Sequence, residues 1–392
     1  MNRNLWLLAI CQGLFLTNNV TFIAINGLVG LNLAPLGWMA TLPVMGYVVG
    51  GALCTAVVAR TQSRFGRKTS FQLGLVVACL SALLCCYAAY SRNFWLLVAA
   101  TVVAGYYNAN AQLYRFVAAE LALPAFREKA VSLVMAGGLI GAVAGPNLAA
   151  HTRSLTQVPF AGAYLALAVV ALLAMALLSL IEFVPAPVKT TSGQADSGRS
   201  LSEIMRQPVF IVAASAGALG YGVMNLLMAA TPIAMQVCSL PFSDVALVLE
   251  WHVIGMFAPG FFTGHLIRRF GTLPIMAAGL GLNVMCVLIA LSGVDFMQFL
   301  SALFLLGLGW NFLFTGSTTL ALTAYRPEEK DRAQGALNFC VFAVLAVSSL
   351  SSGVLVTTQG WRLLNLGSLL PLALTGAALG WLALSRRRLQ NY

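Results

Sequence analysis

Twelve charge-poor apolar runs, each about as long as a helix that spans a bilayer, fill nearly the whole sequence. A helix needs ~20 apolar residues to cross the hydrocarbon core. Only 8% of the 392 residues are charged, against roughly 25% in a soluble domain, so the chain cannot cover a water-facing surface. The pattern predicts an all-α membrane protein with twelve transmembrane helices, at residues 5–29, 37–59, 69–90, 94–118, 130–150, 160–184, 208–232, 244–266, 273–293, 296–322, 334–357 and 363–385.

The basic residues behind the net charge of +11 lie mainly in alternate loops, and they do not cluster into a patch that could bind a nucleic acid. With the N-terminus placed in the cytoplasm, eighteen Lys and Arg residues fall on the cytoplasmic side. Only Arg92, Arg153 and Arg362 fall on the other side. This asymmetry is the positive-inside rule. It predicts that both termini are cytoplasmic, and it argues against a nucleic-acid partner.

Two short charged loops each occur twice at nearly the same offset. Arg64-Phe65-Gly66 recurs as Arg269-Phe270-Gly271, 205 residues later. The segment 126–130 recurs as the similarly charged segment 329–333, 203 residues later. Two features that share an offset of about half the chain indicate a duplicated unit.

The segment 185–207 separates the first six runs from the last six. It is polar, rich in Gly and Ser, and too short to fold alone. We therefore predict an N-terminal six-helix bundle at 1–184, a cytoplasmic linker at 185–207 and a C-terminal six-helix bundle at 208–392.

The sequence gives no indication of an enzyme or of a cofactor. No loop is long enough for a catalytic domain, and no phosphate-binding loop or hydrolase nucleophile motif occurs. The eight cysteines lie in or near apolar runs without the spacing of metal ligands. We expect neither catalysis nor a metal or other cofactor.

The paired halves, the basic loop after the second run of each half and the Gly145-Pro146 element together make the chain resemble the major facilitator superfamily. In that family the first of these loops reads Gly-x-x-x-Asp-Arg-x-Gly-Arg-Arg/Lys, and the segment 64–68 keeps its Arg, Gly, Arg and Lys. The resemblance implies a monomer of two pseudo-symmetric bundles that works by rocker-switch alternating access in a bacterial inner membrane. It also implies a cytoplasmic gate that contains Arg64, Gly66, Arg67, Glu120, Arg269 and Gly271.

Several positions depart from the family pattern. Ser63 stands where the loop has Asp, and Ala59 where it has the first Gly. Thr101 stands where drug exporters usually carry an Arg, so a standard proton/drug antiport is not implied. Gly145 and Pro146, which predict a helix kink, are typical of the family's exporters.

Polar side chains inside the apolar runs are candidates for a substrate site, because they are costly in a bilayer. Asn19 and Asn26 share one face of the first run, and Asn108, Gln112 and Arg115 share one face of the fourth. The repeat pairs Asn19 with Asn225, and Tyr107-Asn108 with Trp310-Asn311. With Tyr221, these residues form the predicted substrate site: Asn19, Asn26, Tyr107, Asn108, Gln112, Arg115, Tyr221, Asn225, Trp310 and Asn311. The alternative for the amides is a structural role, in which they form hydrogen bonds between helices. The alternative for Arg115 is an ion pair with Glu120, or a side chain that extends to the cytoplasmic surface of the membrane.

Glu250 is the one acidic residue well inside an apolar run. A carboxyl group there can carry a proton through a gating cycle, and His252 could relay it, although residues two apart do not share a helix face. The alternative is a single structural hydrogen bond.

These features predict a secondary transporter that moves a small organic solute, with protons as the coupling ion and the lipid bilayer as its surroundings. The Gly145-Pro146 element favours export. The alternative is a proton-driven importer or a facilitator of a polar metabolite, which the Asn-rich cavity and Thr101 favour. Amides, aromatic rings and one Arg suit amino-acid-like, nucleoside-like, siderophore-like or drug-like solutes.

Overall fold

A computed structural model describes residues 3–123, 127–183, 198–326 and 329–390. This part of the chain forms fifteen α-helices and contains no strand. They are α1 (Arg3–Leu33), α2 (Leu42–Tyr90), α3 (Phe94–Ala111), α4 (Tyr114–Leu121), α5 (Arg127–Ala136), α6 (Gly138–Thr152), α7 (Ala161–Ser179), α8 (Leu201–Met205), α9 (Pro208–Val237), α10 (Phe242–Phe257), α11 (Gly260–Phe270), α12 (Thr272–Ser292), α13 (Phe296–Ala321), α14 (Lys330–Thr358) and α15 (Gly360–Gln390). Residues 185–197 of the predicted linker and Phe126 of the second repeated loop lie outside the described residues.

The helices confirm the all-α membrane fold. Ten described segments are long and apolar enough to cross a bilayer, with α2 counted as two and Leu133–Thr152 as one. Helices α10 and α11, bent by 42°, make an eleventh if the pair is one span. The remaining predicted run, 94–118, corresponds to α3 and α4, where Tyr106, Tyr107, Asn108 and Asn110 lower the hydropathy. The predicted count of twelve is compatible with this arrangement and stays a prediction.

The helices pack into two groups. In the first, α1 packs against α5, α6 and α7, and α2 packs against α3 and α7. In the second, α9 packs against α13, α14 and α15, and α12 packs against α13. The groups meet where α6 contacts α10, α2 contacts α14 and α1 contacts α9. We call the end of the bundle with Arg3, Gly66 and Gly271 the terminal face, and the opposite end the distal face.

The repeated loop has the same backbone in both copies. Gly66 has φ 80° and ψ 168°, and Gly271 has φ 89° and ψ 161°. Gly66 separates the two membrane-spanning parts of α2, and Gly271 separates α11 from α12. Only glycine occupies this conformation without strain, which explains why both copies of the loop keep it.

Gly66→Ala is expected to lower the stability of the folded protein by roughly 1–3 kcal/mol, because the side chain strains a backbone with positive φ. No atom lies within 4 Å of the site that the new Cβ would occupy, so the loss comes from the backbone alone. Gly264→Ala, also in open space but helical, is the matched control and should not destabilise. Thermal unfolding of the purified variants measures both, and equal midpoints would contradict the expectation.

Glycines also set how closely the helices cross. A Cβ built on Gly105 of α3 would lie 2.3 Å from the backbone carbon of Gly50 in α2. The crossing of α10 and α13 repeats this contact, since a Cβ on Gly307 would lie 2.3 Å from the His252 carbonyl oxygen and 3.2 Å from the carbonyl carbon of Gly255. Gly255 and Gly307 follow Gly50 and Gly105 by 205 and 202 residues. The duplication therefore preserves helix packing as well as the loop.

The fifth run contains the predicted kink element and also a break before it. Helix α6 includes Gly145 and Pro146, so the kink there stays a prediction, and the break between α5 and α6 lies at Gly137. A Cβ on Gly137 would lie 2.0 Å from the Ala9 carbonyl oxygen. The close contact of α1 with this segment therefore requires the glycine and coincides with the break.

Candidate functional site

A cavity of about 260 Å³ lies between the two groups of helices. Its walls come from α1 and α2, the α3–α4 junction, α5, α9, α10, α13 and α14. Helices α1 and α9 are the most deeply placed, with 78% and 72% of their most apolar stretches buried. Arg115, Phe116 and Asn338 extend the lining towards the terminal face.

The wall from the first half carries most of the polar side chains of the lining, set among apolar ones. They include Gln12, Asn19, Asn108, Gln112 and Arg115. Gln112 lies between α3 and α4, where the helix is interrupted. The Asn19 amide nitrogen lies 3.5 Å from the Tyr47 hydroxyl, which lines the same wall.

The wall from the second half is aromatic. The rings of Trp310 and Phe314 are stacked at 5.1 Å with an interplanar angle of 9°. Tyr221 lies edge-on to both, at 5.1 Å and 5.2 Å, and Phe257 lies 6.2 Å from Trp310. Met224, Met228 and Met256 complete this wall with flexible, polarisable side chains.

Three atoms of lining residues are buried without a hydrogen-bond partner. They are the Arg115 Nε, the Asn108 Oδ1 and the Trp310 Nε1. Leaving such a group unpaired costs about 1–3 kcal/mol, and buried polar groups in native proteins are usually satisfied. Two donors and one acceptor of cavity-lining residues are therefore left unpaired in this conformation.

Arg115 has no counter-charge among the described carboxylates. The predicted alternative partner, Glu120, instead accepts from the Arg67 guanidinium. The Arg115 guanidinium carbon lies 5.0 Å above the Phe116 ring. A positive charge in this position suits an electron-rich group on a solute.

Three residues of the predicted site lie outside the cavity lining. Asn26 accepts a hydrogen bond of 2.6 Å from Tyr164, and Tyr107 packs edge-on against Phe15 at 5.6 Å. Asn311 donates to the Met256 carbonyl at 2.7 Å and accepts from Thr263 at 2.6 Å. Adjacent helical residues point about 100° apart, and one residue of each pair lines the cavity: Asn108 in the first half, and Trp310 in the second.

Asn225 lines the cavity and also joins two helices. Its amide nitrogen donates to the hydroxyls of Ser348 and Ser349 on α14, at 2.9 Å and 2.8 Å. The sequence reading missed Phe257, Phe314 and the methionines of the aromatic wall, because apolar cavity residues have the same pattern as core residues. It also missed Asn338, whose only signal was its position as an amide in an apolar run.

Glu250 and His252 have separate hydrogen-bond partners, and the relay between them stays a prediction. The Asn147 amide donates to Glu250 at 2.8 Å and thereby connects α6 of the first half with α10 of the second. His252 is fully buried, and its Nδ1 lies 2.6 Å from the Leu303 carbonyl oxygen on α13. The two side chains contact different helices because residues two apart face different sides.

The predicted gate residues lie at the terminal face, and the ion pair and ring contacts described for them each stay within one half. The ion pair of Arg67 and Glu120 connects α2 with α4. The Arg64 and Arg269 guanidinium groups lie over the rings of their neighbours Phe65 and Phe270, at 5.3 Å and 5.2 Å. The repeated loops thus share side-chain packing as well as backbone.

A second ion pair anchors the described end of the linker. The fully buried Glu329 carboxylate accepts from the Arg199 side chain at 2.7 Å and 2.9 Å, and from the backbone N–H groups of Arg199 and Arg326. The Gln207 amide donates to the Ala324 carbonyl at 2.8 Å. Helix α8 is therefore held against the segment between α13 and α14.

This anchor is expected to weaken in acid. Hydrogen bonds from the Arg199 side chain, and next from the Arg326 N–H, lower the pKa of Glu329 from 4.5 to about 2. Because the folded pKa is depressed, the stabilisation is present above pH 4.5 and is lost as the pH falls towards 2. The protection of residues 198–207 against hydrogen exchange, relative to the intrinsic rate at each pH, should fall in that window, and Glu329→Gln should lower it at neutral pH. Glu120→Gln is the control, and equal effects of the two variants would contradict the assignment.

Two groups of helices related by a sequence repeat, with a solute-sized cavity between them, define a membrane transporter of two pseudo-symmetric halves. The sequence model of the Major Facilitator Superfamily matches residues 5–249 and 213–391. The chain belongs to this superfamily, whose members are transporters and not enzymes.

The chain is also similar to individual members. It is 38% identical over 364 residues to the riboflavin transporter RfnT of Brucella anthropi, which covers 93% of this chain and 91% of that protein. It is 26% identical to the uncharacterized MFS-type transporter YddS of Bacillus subtilis, over 86% of this chain and 81% of the relative. A solved structure of a bacterial metal transporter superposes with a TM-score of 0.69 at 15% identity, over 97% of this chain and 98% of that one, and shows the fold alone.

Proposed function

We propose that this protein transports riboflavin, or a flavin very similar to it, across the bacterial inner membrane by alternating access. The observation that carries the proposal is the two-sided cavity, with stacked aromatic rings on one wall and amides with one Arg on the other. Riboflavin combines a flat three-ring system, which suits the aromatic wall, with a chain of hydroxyl groups, which suits the amides of the other wall. The likeness to a riboflavin transporter over nearly the whole chain supports the same solute.

Each wall has a role in this proposal. Phe314 and Tyr221 offer a ring face and a ring edge against which the flavin rings can pack. Gln12, Asn19 and Gln112 can both donate to and accept from hydroxyl groups. Flexible methionines beside the rings let the wall adapt to the solute as the halves move.

The cycle that we propose starts from the arrangement described above. With the termini in the cytoplasm, as the positive-inside rule indicates, the terminal face is cytoplasmic. Two hydrogen bonds join the halves on the distal side, from Thr41 to the Ser349 carbonyl at 2.7 Å and from Asn147 to Glu250. The cytoplasmic ion pairs stay within single halves. These contacts support a conformation that is closed to the outside.

We propose uptake as the direction of net transport. The Gly145-Pro146 element, which favours export, is the argument for the opposite direction. The amide-rich wall and Thr101 support uptake of a polar metabolite.

Uptake of labelled riboflavin by a bacterial strain that can neither make nor import it tests the proposal. Cells that express this protein should accumulate the label and grow on low riboflavin, and cells with the empty vector should not. Release of label from preloaded cells, with no accumulation, would reverse the direction. Neither uptake nor release, with the protein present in the membrane, would overturn the proposal.

Proton coupling through Glu250 belongs to the same proposal. Glu250→Gln should keep exchange of riboflavin but lose the stimulation of uptake by an acidic exterior, because the amide keeps a polar group beside Asn147 but cannot release a proton. The matched control, Asn147→Ala, removes that hydrogen bond, leaves the carboxyl group and should keep the pH dependence. Unchanged pH dependence in Glu250→Gln would rule out this role.

A further inference from the structure

The three unpartnered atoms of the cavity form a defined set of hydrogen-bonding groups. Arg115 Nε and Trp310 Nε1 can only donate, and Asn108 Oδ1 can only accept. Asn108 and Trp310 are each 7% exposed, so water satisfies them poorly. The set consists of two donors and one acceptor, contributed by both halves of the molecule.

One edge of a flavin carries the complementary set. Its pyrimidinedione ring has two carbonyl oxygens that accept, separated by an N3–H group that donates. The hydroxyl groups of the side chain both donate and accept, so they select no particular arrangement of partners. The dimethylbenzene edge at the other end of the rings carries no hydrogen-bonding group.

We propose that Arg115, Asn108 and Trp310 recognise the pyrimidinedione edge of the flavin, with Asn108 accepting from N3–H and the other two donating to the carbonyls. This inference rests on the proposed function and adds the part of the substrate that determines specificity. The dimethylbenzene edge then lies among the methionines and aromatic rings of the second half. Analogues changed at that edge are accepted, and analogues changed at N3 are rejected.

The selectivity follows from the free-energy cost of leaving a buried hydrogen-bonding group without a partner. A methyl group on N3 removes the donor and leaves Asn108 Oδ1 unpaired in a cavity from which the ligand has displaced water. A site built to hydrogen-bond a substrate group discriminates strongly against an analogue that lacks it. N3-methylriboflavin should therefore bind at least about tenfold more weakly than riboflavin.

Binding to the purified full-length protein, followed by quenching of flavin fluorescence, tests the inference. The ligands are riboflavin, N3-methylriboflavin and an analogue with a dimethylamino group in place of the 8-methyl group. The 8-substituted analogue should bind like riboflavin, and N3-methylriboflavin much more weakly. Asn108→Leu removes the acceptor and should make riboflavin and N3-methylriboflavin bind alike.

Gln12→Leu is the matched control, because it removes an amide from the same wall but none of the three unpartnered atoms. It should keep the preference for riboflavin over N3-methylriboflavin. Equal binding of these two ligands to the unmodified protein would overturn the inference and leave the proposed function standing. Failure of riboflavin itself to bind would overturn both.

Discussion

Arg115→Ala is expected to reduce riboflavin binding by on the order of tenfold to a hundredfold while the protein still folds. Arg115 is paired with no described carboxylate, so its removal leaves no negative charge uncompensated. Its Nε lacks a partner, and its side chain lines the cavity. The loss should therefore appear as weaker binding of the purified protein and slower uptake at equal amounts in the membrane.

Arg67→Ala is the matched control for this substitution. Arg67 also carries a positive charge near the terminal face, but it pairs with Glu120 and lies outside the cavity lining. Its removal should leave the affinity for riboflavin unchanged. If Arg115→Ala bound riboflavin normally, Arg115 would not contact the solute. If it failed to accumulate in the membrane, the charge would be needed for folding.

Gly105→Val is expected to prevent assembly of the first half. A Cβ there would lie 2.3 Å from the Gly50 carbon and the Gly51 nitrogen, and backbone atoms cannot rotate away as a side chain can. Overpacking a well-packed contact costs typically 1–3 kcal/mol, and a backbone obstruction belongs at or above the upper end of that range. Size-exclusion chromatography of a fluorescent fusion should show little protein in the folded peak.

The same substitution at Gly281 in α12 tests whether close contact is the cause. No atom lies within 4 Å of a Cβ at Gly281, although this residue is also in a membrane-spanning helix. Gly281→Val should therefore leave a normal folded peak. Similar losses in the two variants would show that helix propensity, and not the crossing, determines the outcome.

The features that local sequence determines were predictable. Long apolar runs predicted the helices, and the repeated loop predicted Gly66 and Gly271 in equivalent positions with equivalent backbones. Helical spacing also placed Asn19, Asn108, Gln112 and Arg115 on cavity-facing sides.

The features that depend on packing between helices were not predictable. The repeat paired Asn108 with Asn311, but a small difference in orientation turns Asn311 towards Thr263 and leaves Trp310 facing the cavity. Glu250 bonds to Asn147, a residue 103 positions away in the other half. No property of a single helix encodes such a neighbour, and an apolar residue such as Phe314 looks the same whether it faces lipid, core or solute.

The glycine crossings have a consequence for how the transporter can evolve. Close contacts at Gly50–Gly105 and Gly255–Gly307 leave little freedom at these crossings, so we expect each half to move as a unit. The bonds from Thr41 to Ser349 and from Asn147 to Glu250 are each worth only ~1 kcal/mol net, and losing one would change the ratio of the two conformations about fivefold. Selection can therefore retune the balance between the two conformations through peripheral substitutions, and leave the crossings and the selectivity of the cavity untouched.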